Sequence, residues 1–467
     1  MHLKGYGVRS IVTGEKTNEK TLYAIASNTK AFTTAALGIL IDEGKLTWDT
    51  KVIDIIPEFR LYNSYVTEDF LIRDLLTHRS GLGLGAGDLM MWPDSAMFTV
   101  ADIIHNLRYL GQASPFRTKY DYDNLLYVVA GEVVARISGT SWEAFVETRI
   151  MQPLGMSSSA ASFAGLKERS NIIDAHVPVD GKLQVVPKQE NRLHNSSGGI
   201  YSNISDLSKW VIMQMNRGSY GESGEQRIFT EEVHREMWRP HTIIPVRSAG
   251  PYRSLFAAYG LGWHLTDING YLQVSHTGTH TGIVTRVTMI PELKLGIIVL
   301  TNQQSTEAHD AITQTIIDGY FGIKGNDRIM ALSKSEQASR SEATKITGEV
   351  WKKVEEQRGS GPQQIDHSLY CGTYADAWFG DIVISEISGK LRFNAVRSPK
   401  MRGEMLYYTG NTFIVRWDDR SMDADAFAVF SLDKHGKPQL IKMEAISPLT
   451  DFSYDFHDLN LIRKKED

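Results

Sequence analysis

The sequence predicts a chain in two parts, an α/β body followed by a small all-β domain, and three observations carry the prediction. Through residue 330, helical stretches alternate with Gly-rich turns and strongly apolar strands. One of these, Gly296-Ile297-Ile298-Val299-Leu300, is rich in β-branched residues and bounded by turn residues. Between 333 and 362, Ser, Glu, Lys and Gln dominate and the stretch ends Gly359-Ser360-Gly361-Pro362, which reads as an exposed charged helix and a flexible linker. From Asp366 onward, short strands and turns follow at regular spacing, the pattern of a small antiparallel barrel.

Taken in order, the first helix is expected over the apolar, helix-forming stretch Ala31 to Leu40, and a second over Leu125 to Val134. Tyr271-Leu272-Gln273-Val274-Ser275 reads as a strand leading into a Gly/Thr loop. In the last part, Ile382-Val383-Ile384 and Leu391-Arg392-Phe393 flank a Ser388-Gly389-Lys390 turn. Thr412–Trp417 and Ala426–Phe430 continue the pattern, and Asp433–Lys437 forms another hairpin turn. The expected domains are therefore 1–332, a charged helix and linker over 333–365, and a β-domain over 366–467.

Composition bounds the function. A chain of 467 residues has room for two or three domains, and 42% hydrophobic with 22% charged residues is ordinary for a globular protein. A net charge of −5 leaves no basic footprint for nucleic acid. The single cysteine, Cys371, excludes an internal disulfide framework and a multi-cysteine metal site, and reads as a small buried apolar residue. No apolar run approaches the ~18 residues that would span a bilayer. The start Met1-His2-Leu3-Lys4-Gly5 lacks a signal-peptide core, so the reading is cytoplasmic, or periplasmic or secreted if a signal has been removed.

Three short patterns carry chemistry. Ser27-Asn28-Thr29-Lys30 puts a hydroxyl and an amine one helical turn apart, where the lysine can take the serine proton if its own pKa is lowered. Tyr122-Asp123-Asn124 precedes the second helix. Its phenol can shuttle protons and its amide can hold a lysine or a substrate carbonyl, although Asn124 can equally be a helix cap. His276-Thr277-Gly278 offers an imidazole and a hydroxyl beside a glycine that lets a substrate lie close to the strand, although a lone histidine there is more often structural.

In this order the three patterns resemble the serine β-lactamase and penicillin-binding-protein superfamily, with S-x-x-K and K-T-G elements. The Y-x-N form is similar to the class C-type branch, which includes D-aminopeptidases, D-Ala-D-Ala peptidases, family VIII esterases and mitochondrial serine β-lactamase-like proteins. Further segments resemble that branch: Leu75-Leu76-Thr77-His78-Arg79-Ser80-Gly81-Leu82, Pro153-Leu154-Gly155-Met156, Ser197–Ser202 with Asp206-Leu207, and Tyr259-Gly260-Leu261-Gly262-Trp263. The region after the linker resembles a lipocalin-like C-terminal domain, through Tyr370–Tyr374, Trp378–Asp381 and Asp451–Phe456.

The resemblance implies an antiparallel sheet flanked by helices, a helical subdomain holding Tyr122, and a lipocalin-like barrel. It implies that Ser27 is acylated, that Lys30 and Tyr122 share the serine proton, and that Asn124 orients Lys30 and a substrate amide. By the same analogy His276, Thr277, Gly278 and Thr279 line the substrate, the backbone N–H groups of Ser27 and Thr279 forming the oxyanion site. No metal or organic cofactor is implied. His78, Trp378 and Phe379 read as bracing or core residues.

Three departures refine the expectation. Histidine replaces lysine in the third motif and is mostly neutral at pH 7, which favours small esters or D-amino-acid-containing peptides and at most weak β-lactam hydrolysis. The nucleophile comes early, so an N-terminal helix and first strand are expected to be missing before the hairpin strand that Lys4–Arg9 resembles. Asp123 stands where serine is commonest, either near Lys30 or pointing away. The alternatives are a non-turnover penicillin-binding sensor and a structural, filament-type protein; homo-oligomerisation is a further option. Loops 83–100 and 241–257, which would shape substrate pockets, match nothing specific.

Overall fold

The computed structural model describes residues 1–188, 190–246, 248, 250–359 and 365–465. The expected linker at 360–364 lies outside the described residues. The chain forms two compact units, one comprising Met1–Phe59, Asn63–Gly83 and Gln112–Ser333, the other Arg60–Tyr62, Leu84–Gly111 and Lys334–Asp467.

In the first unit, helix α1 (Thr29–Asp42) is buried along nearly its whole length, with Phe32 stacked on Trp210 at 3.9 Å between ring centroids. It packs against α2 (Leu125–Ser138), which ends at Gly139 in the left-handed conformation that glycine adopts without cost. A third helix, α3 (Ile204–Met215), starts behind Asn203, whose side chain accepts the Asp206 N–H.

The sheet is a six-stranded antiparallel meander: β1 (Thr242–Ile244), β2 (Ala257–Tyr259), β3 (His264–Ile268), β4 (Tyr271–His280), β5 (Ile283–Ile290) and β6 (Leu295–Thr301). Helix α4 (Thr306–Phe321) and α3 pack on β5 and β6, where Gly296 leaves room for Val211 of α3. The His276 motif lies inside β4, paired with β5 as His276↔Val287 and Gly278↔Thr285, and not in a loop after a shorter strand. The expected strand at Lys4–Arg9 is absent: the segment makes a single bridge, Val8 to Lys16, because Gly7 at φ 73° breaks the extended run.

In the second unit, helix α5 (Arg328–Gly359) continues into the all-β part. Its predicted exposure is incomplete. Val350 and Val354 are buried against Ile414 and Ile446. The barrel is closed and eight-stranded: β7 (Gly372–Asp376), β8 (Gly380–Ile387), β9 (Lys390–Ala395), β10 (Arg402–Thr409), β11 (Thr412–Trp417), β12 (Ala426–Leu432), β13 (Pro438–Ala445) and β14 (Leu461–Arg463). Alternate residues such as Ile382, Ile384, Leu391, Phe393, Ala426, Ala428 and Phe430 are buried, the period of two that a closed barrel imposes. In β11 the alternation fails at Ile414 because α5 covers it.

Residues 84–111, which sequence reading kept in the first domain, cluster with the barrel. Asp455 accepts the N–H groups of Gly87 (2.6 Å) and Leu89 (3.1 Å), Asn106 donates to the Trp378 carbonyl (2.7 Å), and Arg397 pairs with Asp102 (2.8 Å). These contacts join residues 272 to 368 positions apart, which no local pattern announces. Trp378 and Phe379 are core residues, while Cys371 is only half-buried where a buried residue is expected.

Candidate active site

Ser27 sits in a single 3-10 turn, Ala26–Asn28, that feeds α1. Ala26 adopts φ 48°, a left-handed conformation costly for a residue with a Cβ, so the turn is held from outside. The holding network is visible: Asn28 Nδ2 donates to Thr285 Oγ1 at 2.9 Å, and that hydroxyl donates to the Ile25 carbonyl at 2.9 Å. β4 passes so close that a Cβ at Gly278 would collide with the Ile25 carbonyl oxygen and press on Ala26. The glycine therefore makes room for the serine turn itself.

Lys30 Nζ lies 3.1 Å from Ser27 Oγ, 2.7 Å from Asn124 Oδ1 and 3.0 Å from the Ser197 carbonyl oxygen. Its nitrogen also sits 4.7 Å from the Tyr122 ring centroid. Asn124 thus turns its amide toward Lys30 rather than capping α2. The cap is supplied by Asp123, whose Oδ1 accepts the Leu126 N–H at 3.2 Å. Ser27, Lys30, Tyr122 and Asn124, scattered over 97 positions from Ser27 to Asn124, are gathered around one amine.

The third motif lies within β4. Alternation along β4 puts His276, Gly278 and His280 on the buried side, with Thr277 and Thr279 half-exposed between them. His276 Nδ1 meets the Thr277 carbonyl at 2.6 Å and its Nε2 meets the Tyr259 hydroxyl at 2.9 Å. A carbonyl only accepts, so Nδ1 carries the proton and Nε2 accepts from Tyr259. Both ring nitrogens are therefore bonded within the protein.

A model of the beta-lactamase family matches residues 1–319, more than two thirds of the chain. The chain belongs to the beta-lactamase family. A second model, described only as a domain of unknown function, matches residues 361–463. The unguisins hydrolase ungD of Aspergillus violaceofuscus is 28% identical over 346 residues, 70% of this chain and 60% of that protein. Protein flp of Staphylococcus aureus is 25% identical over 307 residues, 65% of this chain and 57% of its own length. The chain thus spans about 60% of these curated relatives. The octameric penicillin-binding protein homologue from Pyrococcus abyssi superposes with a TM-score of 0.61 at 20% identity, covering 98% of this chain and 92% of that one. The D-amino acid amidase of Ochrobactrum anthropi gives 0.53 at 21% identity, over 68% and 87%. These two structures share its fold.

In this beta-lactamase-family chain the surroundings of the gathered residues are buried and aromatic. Burial holds His276 well below its ordinary pKa, with His264 and Lys30 adding to the effect. His264 is pushed down to about 4 by burial and then by Arg286, and His78 falls well below 6.5 by burial, then Lys30 and the other two histidines. All three rings are neutral at pH 7, since an imidazolium there would lose its hydration without gaining a carboxylate partner of comparable strength. Asp123 is pushed up to about 7 by burial, against the backbone N–H groups of Leu126 and Leu125 and the charge of Lys30. Among the described residues, no group of three or more His, Cys, Asp or Glu is placed to hold a metal ion, and no helix is long and apolar enough to cross a membrane.

Sequence reading missed Thr285, Asn28 and the Ser197 carbonyl as parts of this arrangement. Asn28 sits inside S-x-x-K, but its partner lies 257 residues away and carries no local signal. Ser197 was flagged only within a family-like segment, since a backbone carbonyl has no residue-type signature.

Proposed function

We propose that this chain is a serine hydrolase that forms an acyl-enzyme on Ser27, acting on small esters or D-amino-acid-containing peptides and amides, with weak β-lactam hydrolysis at most. The observation that carries the reading is the placement of Lys30 Nζ within 3.1 Å of Ser27 Oγ while Asn124 Oδ1 holds it at 2.7 Å, the reach that a proton transfer needs.

On this reading Ser27 Oγ attacks the substrate carbonyl as its proton passes to the Lys30 and Tyr122 pair. The oxyanion rests on the backbone N–H groups of Ser27 and Thr279, where one such donor is worth roughly 3–4 kcal/mol. Collapse breaks the bond to the alcohol or amine, which leaves with the proton held by the pair. Water then adds to the acyl carbon, the acid departs and Ser27 regains its proton. Asn124 fixes Lys30, and Thr277 and Gly278 border the substrate strand.

The substrate class is supported by the neutral His276, which provides no permanent cation for a substrate carboxylate, and by the hydrolase and D-amino acid amidase names among its relatives. The reading includes homo-oligomerisation, supported by the fold it shares with the octameric penicillin-binding protein homologue from Pyrococcus abyssi. The test is a panel of p-nitrophenyl esters, D-aminoacyl anilides and nitrocefin, run beside Ser27→Ala. Ester or anilide turnover that vanishes in the variant supports the reading; turnover that survives the substitution sinks it.

A further inference from the structure

We propose that His78 is a positioning residue that clamps Tyr122 for proton transfer, an inference that rests on the proposed roles of Ser27, Lys30 and Tyr122. His78 grips the residues on both sides of that tyrosine. Its carbonyl accepts the Asp121 N–H at 2.9 Å, and its ring Nδ1 accepts the Asp123 N–H at 3.0 Å. The ring itself packs on Tyr122, with centroids 4.2 Å apart and planes inclined at 34°. Two peptides and one aromatic face are thereby fixed by a single side chain and its own backbone.

The clamp has a defined protonation state. A backbone N–H can only donate, so Nδ1 is bare and the ring proton sits on Nε2. Protonating Nδ1 would replace the hydrogen bond to Asp123 with two opposed donors. His78 is 1% exposed and is walled by Tyr259 at 4.5 Å and Tyr127 at 5.4 Å between ring centroids, so the ring has little freedom to turn away. It also holds φ 52°, in the left-handed region that few residues with a Cβ enter and that histidine enters more readily than most. That conformation coincides with the point where carbonyl and ring face the same loop. A residue that only filled space would need neither the left-handed backbone nor the bare Nδ1.

The experiment measures the rate constant for labelling Ser27 with a fluorophosphonate across pH 5–9, together with the final amplitude, on the full chain. Asparagine places an acceptor near the Nδ1 position, while glutamine places its polar atoms near Nε2. His78→Gln is expected to slow labelling on the order of ten-fold or more, a fraction of what a positioned acid–base group supplies, at unchanged amplitude and with an altered pH profile. His78→Asn is expected to restore most of the rate. In a Tyr122→Phe background, His78→Gln should add little, since the effect runs through Tyr122.

A purely structural role lowers amplitude and leaves the rate constant alone. Equal rate constants and pH profiles for wild type and His78→Gln, or equal slowing by His78→Asn and His78→Gln, overturn the inference. Loss of labelling in Ser27→Ala beside an unaffected His78→Gln overturns the inference alone. Labelling that persists in Ser27→Ala overturns the underlying reading and the inference with it.

Discussion

The hydroxyl of Tyr259 donates to Nε2 of His276 at 2.9 Å, and this bond fixes the tautomer of the histidine in the third motif. The opposite nitrogen is tied to the Thr277 carbonyl. Both polar atoms of the ring are thereby bonded to neighbouring groups of the protein. Its neutrality follows from burial and from having a donor already spent on one side and an acceptor on the other.

Removing that donor has a measurable cost. Tyr259→Phe leaves Nε2 buried without its partner, and the unsatisfied acceptor is expected to destabilise the first unit by about 1–3 kcal/mol. Urea denaturation of the two proteins measures it. A change within experimental error would mean the bond contributes nothing net.

Gly278→Ala places a methyl against the Ile25 carbonyl and Ala26. The serine turn must move, and displacement of a reacting group by about 1 Å costs on the order of 100-fold in rate. Ester turnover should fall by about that factor while far-UV circular dichroism stays native. Full activity in the variant would show that the turn tolerates the shift.

Asp123 gives a stability signature in pH. Its folded-state pKa of about 7 lies above the ordinary carboxylate value, so the folded chain holds the extra proton between those two limits. Stability therefore falls as pH rises from about 4 toward 7, by about 1.4 kcal/mol for each unit of the difference. Asp123→Asn keeps an acceptor for the Leu126 N–H and should flatten that slope. Denaturation midpoints at pH 4.5 and 7.5 provide the comparison, and parallel slopes would contradict it.

In the second unit, Asp455 is the hub that ties residues 84–111 to the barrel. Asp455→Ala strands the Gly87 and Leu89 amides, at about 1–3 kcal/mol for each unsatisfied group. Asp455→Asn keeps one acceptor and relieves the buried carboxyl, whose pKa is raised by burial and then by Asp88, so its loss should be smaller. Limited proteolysis should cut within 84–111 fastest in the alanine variant. Equal cutting in all three proteins would show that the carboxyl is not what holds the segment.

What was readable in advance follows from what is local. S-x-x-K was legible because three residues, about one helical turn, separate Ser27 from Lys30. The barrel was legible because the hairpin turns announce themselves: Ser388 and Gly389 both take positive φ, and the Asp433 side chain caps the N–H groups of His435 and Lys437. The break in α5's predicted exposure was hidden, since Val350 and Val354 are too few to mark an apolar face in a charged helix. The Lys4–Arg9 strand failed because Gly7 turns the chain.

The sequence by itself determined the residue types of the site and their order along the chain, because those depend on chemistry and on neighbours within a turn or a strand. It also determined the change from a mixed body to an all-β barrel, since periodicity and turn residues are local properties. Only the tertiary structure decided which atoms face which. It turned Asn124 to Lys30 and made Asp123 the helix cap, it spent both nitrogens of His276 on protein partners, and it joined 84–111 to the barrel. The reason is physical: buried donors and acceptors must be satisfied, and their partners are chosen by three-dimensional packing across hundreds of residues, a distance over which sequence spacing carries no information.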